Sequence, residues 1–173
     1  MDLKQFIREV PDWPIKGVSF KDITTLLQDY KLFRYVVDEM IEPFKDEKID
    51  KIVAIDARGF LFATPIAYKI GCGVSLVRKE GKLPYKTIQE NYQKEYGIDV
   101  LAMHEDAIKK GEKALIVDDL LATGGTVEAA IKMIERLGGE VVGASFVMDL
   151  PFLGGSEKLS KYKLNWLVSY DGE

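Results

Sequence analysis

Residues 114–126 read Ala-Leu-Ile-Val-Asp-Asp-Leu-Leu-Ala-Thr-Gly-Gly-Thr: an apolar run, two adjacent carboxylates, then a turn of small residues. In an open α/β sheet, ligands bind at the C-terminal ends of the strands, and this segment carries the chemistry for an anionic one. Gly124 and Gly125 let the backbone approach an anion closely. The free N–H groups and dipole of a helix starting there favour negative charge, and the hydroxyls of Thr123 and Thr126 add donors. Ala122 to Thr126 therefore reads as a phosphate cradle. Asp118 and Asp119 repel a second phosphate beside the first but suit the vicinal hydroxyls of a sugar. Together the two parts describe a site for a ribose 5-phosphate. No lysine follows the glycines, as a Walker A loop requires, and the Gly-x-Gly-x-x-Gly of dinucleotide binders is missing.

Other residues add charge at the ends of neighbouring apolar runs. Arg58 follows Ile52–Ile55 and precedes Gly59, where its guanidinium can clamp phosphate oxygens two at a time. Arg78, Lys79 and Lys82 bring three more cations to the end of the next run, in a Gly- and Lys-rich loop suited to a leaving group with several negative charges. His104 is the only histidine, in a His-Glu-Asp segment expected to start a helix, and is given no catalytic role. The one cysteine, Cys72, excludes an internal disulfide or a multi-cysteine metal site and reads as a buried structural thiol.

These groups need a scaffold. With 173 residues, 47% of them hydrophobic, the chain suffices for one compact domain. Its net charge of −4 is spread without long runs of one sign, so nothing favours a nucleic-acid partner. No stretch approaches the roughly 20 apolar residues of a membrane span, and residues 1–15 lack the apolar core of a secretory leader, so a cytoplasmic location is expected. Leu32, Phe33, Val36, Val37, Met40, Ile41 and Phe44 mark an amphipathic helix from Lys31. Ile52–Ile55, Val74–Val77, Ala114–Val117 and Val141–Met148 are short β-branched runs without alternation, as expected of strands buried on both faces. Phe60–Ile70 and Val127–Leu137 are the helices between them, the second stopped by Gly138-Gly139. This order predicts a single-domain α/β fold with a parallel, Rossmann-like sheet flanked by helices. Lys79–Met103, polar and rich in tyrosine, reads as a long excursion ending in a strand near Ile98–Met103.

The 114–126 segment resembles the binding motif for phosphoribosyl pyrophosphate (PRPP) in type I phosphoribosyltransferases. Pro11-Asp12-Trp13-Pro14, Gly17 to Thr24, Ala57-Arg58-Gly59-Phe60, Arg78 to Pro84 and Glu95-Tyr96-Gly97 are similar, in order and spacing, to segments of its adenine-specific members. The resemblance implies the type I fold, with residues 1–30 as a base-binding hood and about 79–97 as a flexible flap. It implies transfer of the ribose 5-phosphate of PRPP to adenine, with magnesium carried by PRPP, AMP and pyrophosphate as products, and a homodimer. Phe20 would stack on the purine, backbone groups of Ser19 and Lys21 would read its edge, and Leu120 would form the opposite wall. Pyrophosphate would lie near Arg58, Lys79 and Lys82, in a turn often containing a cis peptide. Glu95, beside Tyr96 on the flap, would handle a proton on the purine. Lys21 stands where the family usually has arginine, and Glu80 is a second departure. Transfer to xanthine, hypoxanthine, guanine or a pyrimidine, or PRPP sensing without catalysis, remain the competing readings.

Overall fold

The computed structural model describes residues 1–93 and 97–172. A seven-stranded sheet forms its centre: β3 (Lys51–Ile55), β4 (Gly73–Lys79), β5 (Thr87–Gln93), β6 (Ile98–His104), β7 (Lys113–Leu121), β8 (Glu140–Asp149) and β9 (Leu164–Ser169), in the spatial order β5-β6-β4-β3-β7-β8-β9. From β4 to β9 neighbours run parallel. The expected all-parallel sheet is thus mixed at one side, where β6 lies antiparallel to β4 and β5 antiparallel to β6.

Both faces of the sheet's central strands β3, β7 and β8 are largely covered, which explains their unalternating sequences. Ile52, Ala54, Leu115 and Val117 face a core shared with α2 (Tyr30–Ile41) and α3 (Gly59–Ile70). Val53, Ile55, Ala114 and Ile116 face the opposite core, filled by Val127, Ala130, Ile131 and Ile134 of α4 (Gly125–Arg136). The three expected helices are present, and Asp29 caps α2 by accepting from the N–H groups of Lys31 and Leu32. No helix among the described residues is long and apolar enough to cross a membrane.

Three regions depart from the sequence expectation. Thr87–Gln93, taken as irregular, is β5; its residues point alternately to a partly covered and an exposed face, so polar side chains interrupt any apolar run. A two-stranded hairpin, β1 (Arg8–Val10) with β2 (Phe20–Asp22), is too short and polar to signal strands, and the half-exposed β9 is apolar at Leu164, Trp166, Leu167 and Val168 but shows no strict alternation. His104 ends β6 and leads into a turn rather than a helix. Short helices α1 (Thr24–Gln28) and α5 (Gly155–Lys158) complete the chain.

The end of α2 is secured by a buried polar contact. The last carbonyls of a helix have no partner within it. Fully buried Ser145 donates to the carbonyl of Met40 at 2.7 Å and accepts from the Asn165 amide at 3.0 Å, joining α2, β8 and β9. Ser145→Ala would remove both hydrogen bonds and leave only the longer one from the Asn165 amide to the Met40 carbonyl at 3.5 Å; it is expected to cost about 1 kcal/mol, read as a lower urea midpoint with an unchanged slope.

Candidate active site

Strands β3 and β7 lie side by side, but the chain leaves β3 through α3 toward β4 and leaves β7 through α4 toward β8. The connections diverge, so a crevice opens beyond the carboxyl ends of the two strands. Two adjoining cavities fill it. The larger, about 720 Å³, is polar and is lined by Arg58, Arg78, Lys79, Lys82, Asp118, Asp119, Ala122 and Thr126. The smaller, about 280 Å³, is mostly apolar: Ser19, Phe20 and Lys21 on one side, Met148, Leu150, Phe152 and Leu153 on the other. Arg58, Asp119, Leu120 and Ala122 line both cavities and form the wall between them.

The aspartates lie within β7, which continues to Leu121. Asp119 is almost wholly buried, and its Oδ2 stands 2.5 Å from Nε of Arg58. The guanidinium of Arg58 also lies 5.5 Å from the ring centre of Phe20, whose other neighbour is the edge of Trp13 at 4.4 Å. Asp118 is half-buried, and its Oδ1 accepts from the backbone N–H of Asp119 at 2.8 Å. Gly59, the first residue of α3, is pressed against this carboxylate; a Cβ there would stand 2.9 Å from Asp118 Oδ1 and from the carbonyl of Val117. Burial first, then the neighbouring charge of Asp119, pushes the Asp118 carboxyl well above the usual carboxylate range.

Gly124, in the left-handed region at φ 78°, turns the chain from β7 into α4 and offers no capping side chain. The first-turn N–H groups of this twelve-residue helix are therefore left for a ligand. The loop is held from both sides. Gly155 N–H donates to the Ala122 carbonyl at 3.0 Å, and a Cβ on Gly125 would stand 3.3 Å from the carbonyl of Gln93 at the end of β5. Glu90 of β5 in turn pairs with Arg136 and Lys132 of α4.

Arg78 and Lys79, at the polar mouth, each have a holder. Arg78 Nε donates to Asp56 Oδ2 at 2.8 Å, which ties the end of β4 to the turn before Arg58, where the Asp56–Ala57 peptide is cis. Lys79 Nζ lies 3.5 Å from Asp99 Oδ2, which also accepts from the Tyr92 hydroxyl. Lys21 contributes to the apolar cavity, but its ammonium is engaged with Glu9 and Ser19, at 3.1 and 3.0 Å. The structure thus brings Arg58, Lys79, Lys82, Asp118, Asp119, Ala122 and Thr126 together, with Thr123, Gly124 and Gly125 in the loop between the last two. Ser19, Phe20, Lys21 and Leu120 meet in the second cavity. Glu95 and Tyr96 lie outside the described residues. Sequence reasoning did not anticipate the far wall of the apolar cavity, Met148 to Leu153, because those residues look like ordinary strand and turn positions. Trp13, in a recognised segment, carried no sign that it would meet Phe20.

The raised Asp118 carboxyl has a measurable consequence. The folded, unliganded protein holds a proton there at pH values where the unfolded chain has lost it. Stability therefore falls as pH rises from the ordinary carboxylate range through the raised value. Asp118→Asn, which cannot ionise, is expected to melt at a higher temperature than the wild type at neutral pH. The gap should close in acid. Equal melting temperatures at both pH values would show that the Asp118 charge does not strain the fold.

Residues 24–166 match the model of the phosphoribosyl transferase domain. An adenine phosphoribosyltransferase of Clostridium botulinum is 57% identical over 171 residues, 99% of either chain. Among solved structures, adenine phosphoribosyltransferase from Thermoanaerobacter pseudethanolicus superposes with a TM-score of 0.94 at 47% identity, with 98% of each chain covered. The Saccharomyces cerevisiae enzyme, complexed with an imino-altritol bisphosphate and adenine, gives 0.90 at 37% identity over 96% of each chain. The mixed seven-stranded sheet is the type I phosphoribosyltransferase fold, and the chain belongs to the phosphoribosyltransferase family, among its adenine phosphoribosyltransferases.

Proposed function

We propose that the chain transfers the 5-phosphoribosyl group of PRPP to adenine, giving AMP and pyrophosphate in purine salvage. The observation that carries this reading is the pair of cavities, one polar and one apolar, joined along the Arg58–Asp119 wall. A nucleotide needs such a division, with its phosphate and sugar on one side and its base on the other.

The uncapped N–H groups at the start of α4, with Thr123 and Thr126, hold the 5-phosphate. Asp118 and Asp119 accept from the ribose hydroxyls and fix the ring. Arg58, Lys79 and Lys82, with Arg78, face the pyrophosphate and stabilise the charge that gathers on it as the bond from C1 to its oxygen breaks. The purine lies against Phe20, opposite Leu120, with backbone groups of Ser19 and Lys21 along its edge. N9 attacks the oxocarbenium-like C1 from the face opposite the departing pyrophosphate, forming the new bond as N9 gives up its proton. Glu95, beside Tyr96, is the group we assign to proton handling on the base. Holding both reactants in line removes much of the entropic barrier.

Magnesium fits the donor set as a passenger of PRPP. Among the described residues no three acidic, histidine or cysteine side chains converge on one point. Its protein contacts would therefore be limited to the hard oxygens of Asp118 and Asp119, with ligand oxygens and water completing the shell. When bound, it supplies neutralisation of the departing pyrophosphate.

A homodimer is the proposed assembly. Leu61, Pro65 and Tyr68 form an outward apolar stripe on α3, beginning three residues past Arg58, and Tyr68 is 92% exposed. Tyr68→Glu is expected to halve the mass found by light scattering; an unchanged dimer would move the interface elsewhere. The single half-buried thiol, Cys72, suits a reducing compartment such as the cytoplasm.

The decisive assay supplies PRPP, magnesium and a panel of bases. Adenine should be turned over in preference to hypoxanthine, guanine, xanthine and pyrimidines, and a preference for a 6-oxopurine would overturn the choice of base. Replacing Asp118 and Asp119 together by asparagine should lower AMP formation by on the order of a hundredfold or more while thermal unfolding stays cooperative. Near-normal turnover would remove the two carboxylates from the mechanism.

A further inference from the structure

Tyr170, just past the end of β9, is buried to 9% exposure in the core shared with α2 and α3. Its hydroxyl is buried without a hydrogen-bond partner among the described residues, so its polar atom adds no contact. The ring is used instead. The ammonium of Lys21 lies 4.8 Å from the ring centre and that of Lys4 lies 5.0 Å away. A cation over an aromatic face is attracted by the ring quadrupole, and more strongly when water is excluded. The Lys21 side chain is only 9% exposed.

We propose that Tyr170 is a positioning residue for the base: its ring fixes Lys21, and through Lys21 the strand that edges the base cavity. The contacts form a short mechanical chain. Tyr170 N–H donates to the carbonyl of Asp149 at 3.1 Å, which ties the ring to the end of β8 just before Leu150, a residue of the far wall. Lys21 lies between Phe20 and Asp22 in β2, and its ammonium reaches Glu9 Oε2 in β1 and Ser19 Oγ just before β2. Ser19, Phe20 and Lys21 therefore keep their places relative to Leu150 and Leu153 because one ring links the hairpin to the sheet. The lysine at position 21 serves through its ammonium at this joint and through its backbone at the base.

The inference rests on the reading that the smaller cavity takes the purine. Five variants of the full chain separate the two, with KM for adenine and for PRPP measured independently. Tyr170→Leu is expected to raise KM for adenine about tenfold, with KM for PRPP and kcat within about twofold. Tyr170→Phe keeps the ring and should restore wild-type KM. Lys21→Met keeps the aliphatic stem and backbone but removes the charge, and should raise KM for adenine to a similar extent. The double variant Lys21→Met with Tyr170→Leu should raise KM by less than the product of the two single effects, because both break the Lys21–Tyr170 contact. Phe20→Ala is the control for the cavity. If it leaves KM for adenine unchanged, the base lies elsewhere and the cavity assignment falls. If it raises KM for adenine while folded Tyr170→Leu and Lys21→Met do not, the positioning role falls. Should Tyr170→Leu fail to fold, Lys21→Met decides alone. A merely structural tyrosine would lower the melting temperature without separating the two KM values.

Discussion

The Arg58–Asp119 ion pair spans the gap between two parallel strands whose connections run opposite ways, and the rest of the site is arranged around it. Adjacent carboxylates at the end of a buried strand repel one another and resist losing water. The guanidinium from the neighbouring strand's turn offsets one of these charges and leaves the other, Asp118, with a raised pKa. The same guanidinium lies 5.5 Å from the ring centre of Phe20, so the group that balances the two acids also borders the apolar cavity. Gly59 follows from this crowding, since the turn can reach Asp119 only if nothing projects from the first residue of α3 toward Asp118.

Much of this frame was readable in the chain. Four unalternating β-branched runs, the helices between them and the aspartate-glycine turn were all located within a few residues, because each is a local pattern with a local cause. The turn from β7 into α4 was the clearest case, since it is one continuous segment of small residues whose place in the fold follows from its own composition. The edge of the sheet was harder to see. The sequence Thr-Ile-Gln-Glu-Asn-Tyr-Gln of β5 puts only Ile88 and Tyr92 against the core, with Glu90 between them, and its place is set by pairing with β6 and by Glu90 held on α4. A pattern search within one segment has no access to such partners. The apolar cavity was half visible for the same reason. Phe20 and Leu120 stand in recognisable segments, whereas Leu150, Phe152 and Leu153 become ligand-facing only through the packing of β8 beside β7.

The exchange of lysine for arginine at position 21 acquires a physical meaning in this setting. A guanidinium is a planar fork and an ammonium a compact point charge. Here the ammonium lies 3.1 Å from a carboxylate, 3.0 Å from a hydroxyl and 4.8 Å from a ring centre, a set of partners that a point charge can satisfy. The substitution therefore changes the joint behind the base rather than the groups beside it.

The two cavities also differ in how far apart along the polypeptide their parts lie. The phosphate side is assembled from strands and turns between Lys51 and Thr126, most of them neighbours in the sheet. The base side waits for Lys4 and Lys21, from the beginning of the chain, to meet Tyr170, from its end. Closing so long a loop carries a larger entropic cost and slows formation of the contacts that depend on it. During synthesis from the amino end, the segments that line the polar cavity are all made before Tyr170, so the joint behind the apolar cavity can close only after them.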